Sequence, residues 1–178
     1  MRILVLVILA VVAIFGAVVA MQPADFSVVR TLTMAAPPQA VFAQVDDLRK
    51  WDAWNPWQKK DPAMKIDFNG PSSGAGASYT WSGNREVGEG RLTIVQSRPN
   101  ELVQIKLEFA KPFQATHTAA FRFVPVGNQT TVTWSMEAHN NFFAKAFHLI
   151  MNMDQRIGRE FERGLADMKA VVEAAPKQ

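Results

Sequence analysis

Hydrophobic positions are concentrated at the start of the chain. Nineteen of the first 21 residues are hydrophobic, and Arg2 and Gly16 are the two exceptions. The uncharged run over residues 3–21 would span about 28 Å as an α-helix, close to the hydrocarbon thickness of a bilayer. We therefore predict a membrane anchor over residues 1–21, followed by one domain over residues 22–178.

Two alternatives to a retained anchor remain open. A cleaved signal peptide would use the small residues Val18-Val19-Ala20, although its apolar core is usually shorter, about 7–15 residues. A buried soluble helix would carry some polar positions, and this segment has none beyond Arg2. Because Arg2 precedes the apolar run, the positive-inside rule places a single-pass anchor's domain on the non-cytoplasmic side, periplasmic or extracellular. Cleavage would instead give a secreted domain.

Beyond the anchor, alternating hydrophobic and polar positions predict seven β-strands. The first covers residues 26–34, and helical spacing between Pro38 and Trp54 then predicts two short helices. Six further strands follow one another through short turns, which is typical of an antiparallel sheet. Their predicted bounds are 65–69, 77–83, 86–97, 102–109, 114–126 and 130–139.

The chain ends in an amphipathic pattern that predicts one long helix over residues 142–172. Its hydrophobic positions fall within one arc of about 100°. Gly158 and Gly164 flank that arc and would let a sheet approach closely. A curved antiparallel sheet wrapped around such a helix buries the apolar faces of both, so we predict an α+β fold.

Composition and charge exclude several kinds of site. The chain has no cysteine, so no disulfide, thiolate nucleophile or Cys-based metal site is possible. The formal net charge is only +3 and the basic residues do not cluster, which argues against a nucleic-acid partner. His117, His139 and His148 lack metal-ligand spacing. The glycines over residues 70–76 and 88–90 lack the lysine of a phosphate-binding loop. We therefore predict no metal and no cofactor.

The segment after the first strand carries a recognisable motif. It reads APPQAVFAQVDDLRKWDAWNPWQKKDP over residues 36–62, and its distinctive positions are Pro38, Val41, Phe42, Trp51, Trp54, Pro56 and Trp57. Together with the glycine-punctuated segment 81–94 and the helical segment 158–169, it resembles the SRPBCC (polyketide cyclase/dehydrase-like) proteins of the START-like, Bet v-type superfamily. The resemblance covers about residues 22–175. It implies a helix-grip fold, in which a curved seven-stranded sheet grips the long C-terminal helix.

The resemblance also implies a hydrophobic cavity between the sheet and the long helix. Some members bind lipids or other apolar ligands, some cyclise polyketides, and an N-terminal anchor is common among bacterial members of this length. Aromatic side chains suit a cavity wall, although they also pack in ordinary hydrophobic cores. For Trp51 and Trp54, core packing is the favoured interpretation. The predicted lining is Trp54, Trp57, Tyr79, Trp81, Phe109, His117, Phe121, Trp134, Met136, Phe147, Ile150, Asp154, Ile157 and Phe161.

Three of these residues are candidates for acid/base chemistry. His117 lies on the inward face of its strand, Tyr79 offers a hydroxyl, and Asp154 falls inside the apolar arc of the last helix. Each has a structural alternative. His117 suits a hydrogen-bonded core or rim position, and Asp154 suits a helix N-cap at a break after residues 151–153, or an ion pair with Arg156 or a sheet residue.

Three functional hypotheses follow. The favoured one is a membrane-tethered binding protein for a lipid or other apolar small molecule, attached to the membrane through residues 3–21. The second is a cyclase/dehydrase-like enzyme, which requires His117, Tyr79 and Asp154 to converge in one open cavity. The third is a structural or interaction domain with a filled core, which requires that no ligand-sized cavity exists.

Overall fold

An apolar helix precedes the rest of the fold. The computed structural model describes residues 1–174, apart from the side chain of Ile150. Helix α1 (Arg2–Met21) is almost entirely exposed, and Val19 is its buried residue. Its length and composition are sufficient to cross a membrane, and they suit a signal sequence equally well.

Seven strands form one antiparallel sheet in the order β1-β7-β6-β5-β4-β3-β2. The strands are β1 (Asp25–Met34), β2 (Lys65–Asn69), β3 (Ser78–Ser82), β4 (Glu89–Arg98), β5 (Leu102–Lys111), β6 (Ala115–Val126) and β7 (Gln129–His139). Strands β2 to β7 each pair with their neighbours in the chain, and β7 also pairs with β1 on its other side. The predicted helix-grip α+β fold is confirmed, and the strand bounds differ from prediction by three residues or fewer.

Cross-strand register brings the inward side chains together. Phe121 on β6 lies opposite Val103 on β5 and Trp134 on β7, and all three are buried. Because side chains alternate between the faces of a strand, the polar residues between them point to the outer face. The inner face therefore forms the core against which the helices pack.

Three short helical segments, and not two, follow β1. They are α2 (Pro38–Asp46), a 3₁₀ helix (Leu48–Ala53) and α3 (Pro56–Lys60). The additional segment arises from two caps, because Asp47 Oδ1 accepts a hydrogen bond from the Arg49 amide at 3.0 Å and Asn55 Oδ1 accepts one from the Trp57 amide at 3.0 Å. Each cap begins a new helical turn.

The predicted helix over residues 142–172 is two helices. Asn152 has φ of 46° in the left-handed region, a conformation that asparagine tolerates better than most residues. It ends α4 (Phe142–Met151), and α5 (Met153–Ala174) begins directly after it. The long helix that lies on the sheet is thus α5, with its buried residues Phe161, Leu165, Met168 and Val172 facing the core.

Two glycines let α5 approach its neighbours, as predicted. A Cβ atom at Gly164 would lie 2.8 Å from Cζ3 of Trp134 and 3.1 Å from Cδ of Pro56. A Cβ atom at Gly158 would collide with the guanidinium of Arg30. Glycine at position 164 therefore sets how closely the helix sits against the sheet and α3, whereas the neighbour of Gly158 is the end of a flexible side chain.

Candidate ligand cavity

A cavity of about 460 Å³ lies between the inner face of the sheet and the two C-terminal helices. Its volume falls in the range of small-molecule sites, roughly 300–1,000 Å³. Strands β3 to β7 supply most of the wall, α5 covers it, and α4 and the β5–β6 loop border its mouth. Ten predicted residues line it: Trp57, Tyr79, Trp81, Phe109, His117, Phe121, Trp134, Met136, Ile157 and Phe161.

Three predicted residues are not in the wall of this cavity. Trp54 is fully buried in the core, where its indole Nε1–H donates to the Gln44 carbonyl at 3.1 Å. The side chain of Asp154 is 52% exposed and forms an ion pair with Arg30, with 3.4 Å between Oδ2 and Nη2. Phe147 is half exposed on α4. Ile150 was predicted as well, and its side chain lies outside the described residues.

The error at Phe147 has a single cause. A continuous helix would have turned Phe143 and Phe147 inward, but the break at Asn152 gives α4 its own orientation. Ala144 and His148 line the cavity instead, while Phe143 is 82% exposed. The inward face of α4 is thus the less hydrophobic one, which is the reverse of what hydrophobic periodicity indicates.

A polar pair lies in the wall of the cavity between β3 and α3. Tyr79 is buried and packs edge-on against Trp51 and Trp81. Burial raises the pKa of its hydroxyl above the ordinary value, and a hydrogen bond with the Asn55 side chain opposes that rise only in part. Tyr79 therefore remains a neutral hydroxyl near pH 7. Asn55 also lines the cavity, and sequence reasoning did not identify it.

His117 presents an unpaired nitrogen. Its ring leans against Phe109, with centroids 5.2 Å apart, and its buried Nδ1 has no hydrogen-bond partner among residues 1–174. Burial lowers the pKa of His117, and the nearby His148 lowers it further. The imidazole is therefore neutral near pH 7, with one nitrogen free to pair with a polar group of a ligand.

A second polar pair lies where β7 joins α4. The Asn140 side-chain amide lies 3.2 Å from Nδ1 of His148, and burial lowers the pKa of His148. The His148 ring packs edge-on against Phe26, with centroids 4.3 Å apart. Both polar residues line the cavity and were not among its predicted residues. Asn140 precedes α4 by two residues and His148 lies in its second turn, and no hydrophobic periodicity predicts that these two side chains meet.

Each of the two charged residues of the cavity wall, Glu86 and Lys111, is paired with a residue of opposite charge outside the wall. Glu86 forms an ion pair with Lys60 at 2.9 Å, and Lys111 forms one with Glu89 at 3.0 Å. Both Glu86 and Lys111 border the cavity. In the part of the chain that the structure describes, no group of three or more acidic or histidine side chains is placed to hold a metal ion.

The family of the chain follows from its sequence as a whole. Residues 25–173 match the sequence profile described as polyketide cyclase/dehydrase and lipid transport. The chain belongs to this family. The resemblance drawn from the tryptophan-rich segment is thereby confirmed, and the family supports a domain that binds hydrophobic ligands.

Solved structures share the fold of this family member at low sequence identity. One is the di-domain ARO/CYC BexL from the BE-7585A biosynthetic pathway, with 18% identity, a TM-score of 0.63, and coverage of 89% of this chain and 53% of BexL. TTHA0849 from Thermus thermophilus has 15% identity, a TM-score of 0.61 and coverage of 85% and 100%. Aha1 from Colwellia psychrerythraea has 16% identity, a TM-score of 0.60 and coverage of 85% and 99%. No curated protein matches the sequence.

Proposed function

We propose that this family member is a membrane-tethered protein that binds a lipid or other apolar small molecule in its cavity. The observation that supports this most directly is the cavity of about 460 Å³, whose wall is mainly aromatic and aliphatic. A filled structural core would have left no such space. Residues 1–21 act as the tether in this proposal, and residues 22–178 form the binding domain.

Binding would be driven by the apolar area that the ligand buries, worth about 25 cal/mol per Å². The charged residues of the wall are already paired, so they need no partner from the ligand and do not oppose the burial of its apolar surface. Nδ1 of His117 is free to accept or donate one hydrogen bond. That single contact would orient a ligand that carries a carbonyl, hydroxyl or carboxyl group.

Cross-linking from a bilayer tests this function directly. The full chain would be reconstituted in phosphatidylcholine nanodiscs containing a palmitic acid analogue with a mid-chain diazirine, illuminated, and digested for mass spectrometry. We expect cross-links on cavity residues such as Phe121 and Met136. Labelling confined to α1 would contradict the proposal.

A matched pair of variants sharpens the test. Leu107 lines the cavity and is partly buried, so Leu107→Trp should fill the space and abolish cross-links inside the domain. Val124 is exposed on the outer face of β6, so Val124→Trp adds the same side chain without touching the cavity. We expect normal cross-linking in this control.

Retention and orientation of the tether need their own experiment. The intact mass of the protein in carbonate-washed membranes distinguishes a retained α1 from a cleaved signal sequence. Protease treatment of sealed cells then reports the side of the domain, which we place outside the cytoplasm because Arg2 precedes the apolar run. A full-length protein protected from external protease would reverse that orientation.

Acid/base catalysis is the second candidate. His117 and Tyr79 line the same cavity, and the neutral imidazole of His117 has a free nitrogen. Asp154 does not join them, so any cyclisation or dehydration would depend on these two groups. A His117→Gln variant that still cross-links the palmitic acid analogue, yet loses turnover of a synthetic poly-β-ketone, would favour the enzyme.

A further inference from the structure

Large apolar side chains are exposed along one helix at the mouth of the cavity. On α4, Phe143 is 82% exposed, and Phe142, Phe147 and Leu149 are each between 43% and 49% exposed. Phe113 on the β5–β6 loop borders the same mouth and is 75% exposed. Single exposed apolar residues are common, but a group of them around one opening marks a surface that another phase or molecule covers.

The position of α1 indicates what covers this surface. Helix α1 contacts α4, and Val19, near the end of α1, is fully buried. Only residues 22–24 separate α1 from β1, and such a segment spans at most about 10 Å. The Asn140 amide donates a hydrogen bond to the Ala24 carbonyl at 2.7 Å, so the β7–α4 junction is held beside this linker. If α1 crosses a bilayer, α4 must lie at its surface.

The composition of α4 suits that location. Its sequence, FFAKAFHLIM, contains one lysine, one histidine and no acidic residue. A helix with a strongly apolar face and a basic residue is typical of segments that lie in the membrane interface. The lysine, Lys145, is half-buried and has a stem long enough to extend its ammonium towards lipid phosphates.

We propose that α4 and Phe113 form a membrane-binding surface that holds the mouth of the cavity against the lipid bilayer. An apolar ligand then passes between bilayer and cavity without crossing bulk water. This inference rests on the proposed function, because it concerns how the ligand reaches that same cavity. The partner of this surface is a lipid bilayer. Helix α4 orients the mouth of the cavity towards that bilayer, which the anchor α1 alone does not do.

Site-specific fluorescence locates the surface. The chain has no cysteine, so single cysteines at Phe113, Phe143 and Val124 can each carry a bimane label in the full-length protein. In nanodiscs containing brominated phosphatidylcholine, we expect strong quenching at positions 113 and 143 and little at position 124, on the outer face of the sheet. Equal, weak quenching at all three positions would overturn the proposal. So would contact quenching between labels at position 143, which would show that a second copy covers α4.

Ligand uptake separates this inference from the function on which it rests. In a Phe143→Ser/Phe147→Ser variant, we expect cross-linking of the bilayer-borne palmitic acid analogue in the cavity to slow by about tenfold or more. A water-soluble octanoic acid analogue should label the cavity at the wild-type rate, as both analogues should in Val124→Ser. Unchanged uptake of the long analogue overturns the inference alone, whereas absence of cavity labelling in the wild-type protein overturns the proposed function.

Discussion

The indole ring of Trp134 lies flat against the phenyl ring of Phe161, with the centroids 4.0 Å apart and the planes 6° apart. This contact joins strand β7 to α5, and both rings border the cavity. Gly164 is three residues further along α5 and faces the same indole. The absence of a side chain at Gly164 is what allows the helix to lie this close.

Gly164→Ala should therefore destabilise the protein. The added Cβ would lie 2.8 Å from the rigid indole of Trp134, and overpacking of this kind costs about 1–3 kcal/mol. The gain in helix propensity from glycine to alanine, about 1 kcal/mol, offsets part of that cost. We expect a net loss of up to about 2 kcal/mol in the free energy of unfolding, measured by urea denaturation followed by tryptophan fluorescence.

Gly158→Ala is the matched control. Its Cβ would meet only the end of the flexible Arg30 side chain, which can turn away at the expense of ion pairs with Asp154 and Glu162. Exposed ion pairs contribute about 0–1 kcal/mol, and helix propensity compensates for such a loss. An equal loss of stability in both variants would show that the Trp134 contact does not limit the approach of α5.

Asp154→Asn should leave ligand binding unchanged. The carboxylate is half exposed and faces Arg30 on the surface, where the ion pair is worth at most about 1 kcal/mol. Its negative charge in the first turn of α5 adds a small favourable term with the helix dipole. We expect a slight decrease in stability and normal cross-linking of the palmitic acid analogue. A loss of cross-linking would show that the Asp154 carboxylate contributes to ligand binding and would contradict its assignment to the surface.

Acid should destabilise the protein through His117. Burial lowers the pKa of this imidazole below its ordinary value of 6.5, so the unfolded chain binds more protons than the native state once the pH falls below about 6.5. The stability contributed by the neutral form is complete above that pH and is lost as the pH falls towards the depressed native pKa. Urea denaturation between about pH 7 and pH 5 would measure this slope.

One variant tests whether that slope belongs to His117. His117→Gln should flatten the pH dependence and leave only the part that arises from His148, whose pKa burial also lowers. An unchanged slope in His117→Gln would mean that the native state protonates His117 as readily as the unfolded chain does.

Sequence periodicity predicts most of this fold because the sheet has one buried and one exposed face. Alternation at residues such as Val103 and Ile105 is set by that asymmetry alone, so the seven strands follow without tertiary information. The break at Asn152 is different. The left-handed conformation of Asn152 breaks the helix, but the hydrophobic pattern continues across it. Phe143 and Phe147 extend that pattern although both are exposed and lie outside the core.

The residues of the cavity wall also divide into those that periodicity predicts and those that it does not. Strand residues such as His117 and Trp134 were predicted because their faces follow from alternation. Asn55 and Asn140 were not, since each lies in a connection between elements, where no periodicity specifies direction. For Asp154 the cavity placement was wrong, and the structural alternative of an ion pair with a sheet residue was right, because Arg30 lies on β1. Periodicity did not identify which sheet residue would be the partner.

Tyr79 offers a clean spectroscopic test of the cavity's polar pair, because it is the only tyrosine in the chain. Burial raises the pKa of its hydroxyl above the ordinary value of 10.0, so folding favours the neutral form. The associated stability is complete below pH 10 and is lost as the pH rises towards the elevated native pKa. We expect no tyrosinate absorbance at about pH 10, where a free phenol is half ionised. The tyrosinate signal should appear together with alkaline unfolding, as reported by tryptophan fluorescence.

The control variant Tyr79→Phe should show no such absorbance and should lose about 0.5–1.5 kcal/mol of stability through the missing hydrogen bond to Asn55. A reversible titration near pH 10 in the folded protein would show that water reaches the hydroxyl and that this part of the wall is open to solvent.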